Sequence, residues 1–298
     1  ALSALKRAGK TVVLISNSGK RARPNEDRLL KLGFAAGSWD HFVSSGEVAW
    51  RSFNDMAASG KLRPGTKCLL ISRDNDRTAI AGLPFVLTEA GEDAELVLIS
   101  EFQKRMLQVE GVVHPSPIDI ERFSPRPARP DRPFTVGRLS RDTADKHHAD
   151  DVALYEALLA DGAAVRIQGG MPLKDRLAPH PQLELLPQGQ FAAEQFLPTL
   201  DVFYYRTGSH VETFGRVVFE AMACGLPVVC HSHGGYADHI SHGENGFLFE
   251  TTQQAAQILA ELKADPALRV RVGHKARQTV ERLFSPQALR QRLDFYRR

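Results

Sequence analysis

Short apolar runs alternating with amphipathic stretches constrain this chain more than any single motif. Beyond residue 133 the order is "FTVGRLS", the helix-like "ADDVALYEALLADG", "AVRIQG", "LELLPQG", the helix-like "AAEQFLPTL", "DVFYYR", the helix-like "RVVFEAMACG", "PVVCH" and, after a Gly-rich turn, "NGFLFE". Apolar runs of this length bounded by turn residues read as buried strands, and strands that alternate with helices imply a parallel α/β layer. A doubly wound sheet of this kind binds ligands at the carboxyl ends of its strands. The first hundred residues alternate as well, through "TVVLIS", "NEDRLLKLG" stopping at Gly33, "GEVAWRSFNDMAASG", "KCLLIS" and "AELVLIS". Between the two regions, Pro115, Pro117, Pro125, Pro127, Pro130 and Pro133 exclude helix and central strand, so a linker is expected there or just before it. With 298 residues, two domains are favoured over one. The expected fold class is therefore α/β, with two Rossmann-like parallel units. Closing segments "TTQQAAQILAELKADP" and "SPQALRQRLDFYRR" read as helices capped at Thr251 or Thr252 and at Ser285.

Bulk properties exclude several classes. A formal charge of +3, from 38 Lys and Arg against 35 Asp and Glu, is too small for a nucleic-acid binder but allows a local anion site. Cys68, Cys224 and Cys230 share no metal-ligand spacing, and an odd number among apolar neighbours suits reduced thiols in a cytoplasmic protein. No apolar run reaches the roughly 18 to 20 residues that span a bilayer, so there is no transmembrane segment and any membrane contact is peripheral. The opening "ALSALKRAGK" reads as the end of a helix stopped by Gly9, with neither an initiator methionine nor a signal-peptide core, and suggests that something upstream is missing.

The most informative stretch is "HVETFGRVVFEAMACGLPVV", residues 210–229. If a helix starts near Gly215, Glu212 lies in the loop before it and Glu220 about one and a half turns inside it. A helix N-terminus presents free N–H groups and a positive dipole end, so "ETFGR" suits a phosphate or sugar oxygens, and Glu220 suits the paired hydroxyls of a ribose. Alternatively, Glu212 is a solvated loop residue and Glu220 a surface helix charge.

This run resembles the donor-site signature of the retaining glycosyltransferases of family four, which have the GT-B fold: glutamate, seven residues, glutamate, then Ala-Met-Ala-x-Gly-x-Pro-Val-Val. The resemblance covers residues 98–298. It includes "SEFQKRML" and "HPSPIDIERFSP" as the domain entry, "VGRLSRDTADKHH" as the Gly-Arg-Leu segment followed by a lysine, "LPQGQ" before the nucleobase pocket, and "GGYADHISHGENGFLF". What it implies is a nucleotide-sugar donor as substrate, no required cofactor, and a sugar or lipid acceptor of unknown identity. Arg138 and Lys146 would meet the donor diphosphate, with Gly137 giving access. Glu212 would hold the transferred sugar, Phe214, Gly215, Arg216 and Val217 would supply backbone contacts, and Glu220 would bind the ribose. Catalytic roles fall on Glu212, Arg138 and Lys146. Lys146 follows Arg138 at a longer spacing than the family's commonest, so "SRDTAD" must bulge.

Residues 1–99, including "LKRAGKTVVLISNSGKRARPNEDRLLKLGF" and "HFVSSGEVAW", instead resemble the phosphatases of the haloacid dehalogenase superfamily. In that resemblance Ser16 and Asn17 would bind a phosphate, while the nucleophilic aspartates would lie upstream of residue 1. Asp74 and Asp76 in "SRDNDR" read as an exposed loop rather than a metal pair. The domains expected are 1–97, a haloacid-dehalogenase-like segment without its nucleophile, and 98–298, a nucleotide-sugar-binding domain with a terminal helix. His231, His233, Asp238, His239 and His242 offer a spacing suited to zinc, but their segment already fits a loop approaching the donor, and no metal site is assigned. Three functions stay open: a glycosyltransferase, with or without impairment by its first domain; a phosphatase fragment with a passenger; and a non-catalytic nucleotide-sugar-binding module.

Overall fold

An apolar run becomes a strand only where a neighbour pairs with it, and each of the runs quoted above contributes one. The computed structural model describes residues 2–16, 18–68, 70, 76–88, 97–125 and 132–295, and it divides into the units Ala1–Leu96 and Val97–Arg298.

The first unit contains α1 (Leu2–Arg7), β1 (Val13–Ser16), α2 (Ala22–Lys31), β2 (His41–Ser44), α3 (Ser45–Ala58), β3 (Thr66–Cys68) and β4 (Phe85–Leu87). Its strands form two parallel pairs, β1 with β2 and β3 with β4. Strands β2 and β4 were not expected, since four and three residues are too few to show a period. Helix α3 is capped by Ser44, whose side chain accepts from Glu47 N at 3.1 Å. The Glu47 carboxylate accepts from Arg21 Nε at 3.0 Å and from Ala22 N at 3.2 Å. Arg21 first, against the cost of burial, holds the Glu47 carboxyl down to about 2.

The second unit adds β5 (Val97–Leu98), α4 (Glu101–Leu107), β6 (Val112–Val113), β7 (Thr135–Leu139), α5 (Asp151–Ala160), β8 (Ala164–Gln168), β9 (Leu183–Leu186), α6 (Ala193–Phe196), β10 (Val202–Tyr205), α7 (Arg216–Ala223), β11 (Val228–His231), β12 (Phe247–Phe249), α8 (Thr252–Ala264), α9 (Pro266–Leu283) and α10 (Pro286–Phe295). Six strands form one parallel sheet in the order β12-β11-β10-β7-β8-β9. The chain enters in the middle at β7, winds outward through β8 and β9, then returns to β10 and winds the other way. The switch point, where loops from adjacent strands diverge and leave a crevice, lies between β7 and β10.

Both faces of this sheet are covered, which explains the unbroken apolar character of its strands. In β10, Phe203 and Tyr205 join the core under α7 and α9, while Val202 and Tyr204 join the opposite core under α5 and α8, as a two-residue period requires. The proline-rich stretch is not a free linker where it is described: Ile118 and Phe123 are buried in the first of these cores.

Helix α9 was missing from the sequence reading, although Asp265 caps it by accepting from Leu268 N at 2.9 Å and Pro266 occupies its first turn. Its Gly273 lies against the end of α7. A Cβ there would stand 2.0 Å from Gly225 O. Gly to Ala in an open helix interior stabilises by about 1 kcal/mol. At Gly273 the sign reverses, because overpacking costs about 1 to 3 kcal/mol. Gly273→Ala is expected to lower the denaturant midpoint, and chemical unfolding followed by circular dichroism measures it.

Candidate functional site

The loops leaving β7 and β10 at the switch point are bound together before any ligand is considered. Asp145 O accepts from Gly208 N at 3.0 Å and from His210 N at 3.1 Å. The loop after β7 is tied to its neighbours: Asp142 Oδ2 accepts from Gln188 N at 2.6 Å, Asp142 Oδ1 from Met171 N at 3.1 Å, and residues 144–146 close into a 3-10 turn. The "LPQGQ" segment thus shapes the loop that carries Lys146.

Lys146 and Glu212 meet across the switch point. Lys146 Nζ donates to Glu212 Oε2 at 2.8 Å, and Tyr205 Oη donates to the same oxygen at 2.8 Å. His210 Nε2 stands 3.7 Å from it, with His210 Nδ1 3.5 Å from Asp145. Burial works to raise the Glu212 carboxyl, but Lys146, Tyr205 and His210 outweigh it and hold the group below its ordinary range. Glu220 behaves oppositely. Burial pushes it up, and Arg216, 3.6 Å away, offsets that only in part. Two carboxylates of unequal basicity therefore line one cavity of about 480 Å³, together with Arg141, Lys146, Gly215 and Val217.

Glycines fix the shape of this cavity. Helix α7 starts directly after Gly215, whose φ of +82° favours glycine and where a Cβ would stand 2.5 Å from Tyr236 Cδ1. Gly235 N donates to Glu212 O at 2.9 Å, and a Cβ on Gly235 would stand 1.9 Å from Thr213 O. Gly235 thus grips the backbone from Glu212 to Phe214.

The structure brings Lys146, Glu212, Phe214, Gly215, Arg216, Val217 and Glu220 to this cavity. The Arg216 guanidinium, 3.6 Å from Glu220, donates to Ser116 Oγ and Pro117 O, both at 2.7 Å. Gly137 and Arg138 are corrections. Gly137 is in the middle of β7, not in a turn, and a Cβ there would stand 2.4 Å from Leu200 Cδ2, so its role is packing. Arg138 is fully buried and does not reach the cavity: its guanidinium donates to Arg206 O at 2.8 Å and to Lys146 O at 2.6 Å. The cation that does line the cavity beside Lys146 is Arg141, which the sequence reading passed over although it stands on the same strand-end loop. Tyr205 and His210 were missed as well, because nothing in the sequence says that a strand end and a loop residue converge on Glu212.

Elsewhere, Ser16 ends β1 and its Oγ accepts from Ser18 N at 3.1 Å; Asn17 and Asp74 lie outside the described residues. Asp76 accepts from Thr78 N at 2.8 Å. The histidine segment is dispersed: Asp238 accepts from Phe102 N at 2.7 Å, His239 packs on Phe219 with ring centroids 5.4 Å apart, and His242 Nδ1 lies 3.2 Å from Leu248 N. Among the described residues, no three His, Cys, Asp or Glu side chains are grouped to hold a metal ion, and no helix is long and apolar enough to cross a membrane.

Residues 126–279 match the family of glycosyl transferases group 1. The chain is 27% identical over 173 residues to the capsular polysaccharide biosynthesis glycosyltransferase CapM of Staphylococcus aureus, a match covering 54% of this chain and 45% of CapM. It spans less than half the length of the curated relatives it matches. In fold it resembles a glycosyltransferase from Rickettsia africae ESF-5, with a TM-score of 0.64, 16% identity, and coverage of 99% of this chain and 92% of that one. It also resembles Anabaena Alr3699/HepE in complex with UDP-glucose, with a TM-score of 0.58, 18% identity, and coverage of 96% and 99%. The α/β fold class is thus that of GT-B glycosyltransferases.

Beside Arg138, His147 donates from Nε2 to Gly169 O at 2.8 Å, and burial followed by the Arg138 charge lowers it to about 4. The fold accommodates the neutral imidazole, so its contribution is complete above pH 6.5 and is lost as the pH falls toward 4. Thermal melts from pH 7 down to pH 4 are expected to fall less steeply for His147→Gln than for the wild type. Arg138→Met is expected to cost about 3 kcal/mol, because it leaves the buried carboxylate of Asp151, 3.7 Å away, with one cation fewer. Denaturant titration measures that loss.

Proposed function

We propose, for a chain that belongs to the glycosyl transferases group 1 family, that its second unit binds a nucleoside diphosphate sugar at the switch point and transfers the sugar to an acceptor hydroxyl with retention at the anomeric carbon. The observation that carries this reading is the pair of carboxylates in one cavity, one held by Lys146 across the strand-end loops and made less basic, the other made more basic by burial. The Anabaena neighbour in complex with UDP-glucose supports a uridine nucleotide as the first donor to test.

In this reading Glu220 accepts from the ribose hydroxyls. A carboxylate that burial has made more basic gains from two hydroxyl donors, which replace the water it has lost. Lys146 and Arg141 face the diphosphate, where fixed cations stabilise the charge that grows on the leaving group. The first N–H groups of α7 after Gly215 add the positive end of the helix dipole. Glu212, held as an anion by Lys146 and Tyr205, takes hydroxyls of the sugar. As the acceptor oxygen bonds to the anomeric carbon, the bond from that carbon to the phosphate oxygen breaks. The nucleoside diphosphate departs with the electron pair, and the acceptor proton passes to phosphate oxygen or solvent. Two cations meet the diphosphate charge, so the reading requires no metal cofactor.

The acceptor, a sugar or a lipid carrying a hydroxyl, is left open. For the first unit we retain the reading of a haloacid-dehalogenase-like layer. In that layer Ser16 Oγ accepts from Ser18 N and keeps its O–H to donate to a phosphate oxygen. With no acceptor-placing residue identified in that layer, transfer by this chain is expected to be slower than donor binding alone suggests.

Calorimetry separates the two glutamates. Glu220→Ala is expected to weaken both UDP and UDP-glucose by roughly tenfold to a hundredfold, the worth of a hydrogen bond to a charged group. Glu212→Ala frees Lys146, so UDP is expected to bind as well as before or better while UDP-glucose weakens. Equal loss of free UDP in both variants overturns the assignment. UDP affinity is expected to persist in EDTA, and a loss restored by magnesium or manganese overturns the metal-free reading. The anomeric configuration of the product, read by NMR, tests retention.

A further inference from the structure

A second cavity, of about 400 Å³, lies between α9 and the loop that precedes β12, and the proposed reaction does not use it. Spacings of four, three and four residues place Arg271, Lys275, Gln278 and Arg282 on one face of α9, and all four line this cavity. Arg271, Lys275 and Arg282 have no ion pair among the described residues, although other arginines of the unit pair readily, as Arg277 does with Glu281 at 2.7 Å. Like charges four apart on a helix repel and destabilise it. The row of exposed cations along this cavity is left without a paired carboxylate among the described residues.

The floor of the cavity is already built. Asn245, only 7% exposed, accepts from Ser241 N at 2.7 Å and donates to His239 O at 3.0 Å and to Thr279 Oγ1 at 2.9 Å, so every hydrogen of its amide is engaged and the loop is pinned to α9. Beyond Arg282 the depression continues to Arg292, whose Nη2 donates to Leu283 O at 2.7 Å while its buried Nη1 has no hydrogen-bond partner. Two acids border the groove. Asp238 is engaged by Arg105 and by Phe102 N, which leaves Glu244 against four cations.

We propose that this groove is a binding site for an elongated oligophosphate anion, distinct from the cavity at the switch point. The length follows from the helix. Eleven residues of rise separate the Cα atoms of Arg271 and Arg282 by about 16 Å, so a chain of linked phosphates, passing from one fork to the next over Lys275, engages the whole row where one phosphate engages a part of it. A concave floor suits a solute chain better than a flat bilayer surface.

The test titrates inorganic tripolyphosphate into the full chain by calorimetry at about 0.05 M salt, where screening is weak. Wild type is expected to bind with a dissociation constant below about 1 mM. Arg271→Glu/Arg282→Glu is expected to lose at least tenfold, with Arg271→Gln/Arg282→Gln as the milder pair should charge reversal impair folding. Because a polyphosphate also has access to Lys146, the same titration on Lys146→Ala shows which cavity responds: retention of the groove-dependent binding supports the proposal. Binding lost in Lys146→Ala and kept in both double variants overturns it. No binding by the wild type overturns it as well, and so does flotation with phosphatidylglycerol vesicles in the absence of tripolyphosphate binding.

Discussion

One buried carboxylate, Asp151 at the start of α5, holds the switch point together. Its Oδ1 accepts from Arg206 Nε at 2.8 Å and from Tyr204 Oη at 2.7 Å, and its Oδ2 lies 3.7 Å from Arg138 Nη1. Through Arg138 the network extends to the backbone carbonyls of Lys146 and Arg206, one on the loop after β7 and one just past the end of β10. Arg206 also reaches Thr252 Oγ1 at 3.1 Å, next to the residue that caps α8. Taking three charges out of water costs several kcal/mol for each ion, which is recovered only when the geometry is good and the remaining donors are satisfied. Here two of the donors, both on Arg138, go to main-chain carbonyls of the two loops, so the network specifies where those loops lie as well as contributing to stability.

Upon this frame the cavity is set by close backbone approach and unequal charge. Gly235 against Thr213 and Gly215 against Tyr236 leave no room for side chains, which fixes the entry of α7 and with it the separation of Glu212 from Glu220. Glu212 is surrounded by a lysine, a tyrosine hydroxyl and a histidine, whereas at Glu220 burial and the charge of Glu194 outweigh Arg216 and Arg122. The same pair of residue types is thereby given two different affinities for protons and for hydroxyl donors.

Much of the fold was legible in the chain because period and punctuation are local. The apolar runs became strands, Thr251 caps α8 with a reciprocal bond from Gln254, and the start of α7 at Arg216 follows from Gly215. The short strands β2 and β4 were not legible, since strands of three or four residues exist by virtue of their partners. Helix α9 carried a legible start at Asp265 and Pro266 that the reading overlooked. Within the site, the segment around Glu212 and Glu220 was legible as a motif, but the partners of Glu212 come from β10 and from a loop sixty-six positions earlier in the chain.

By itself the sequence determined an α/β chain with a parallel sheet, the positions of its helix caps and the residues that would be acidic or basic near the strand ends. Only the tertiary structure decided which of those charges face the cavity. Residues alternate between the faces of a strand and the loops fold back over its end, so Arg138 within β7 is swallowed by the core while Arg141, three residues later, emerges beside Lys146. Sequence proximity could not separate the two arginines; burial did, because a guanidinium wholly removed from water is already committed to the oxygens that compensate it.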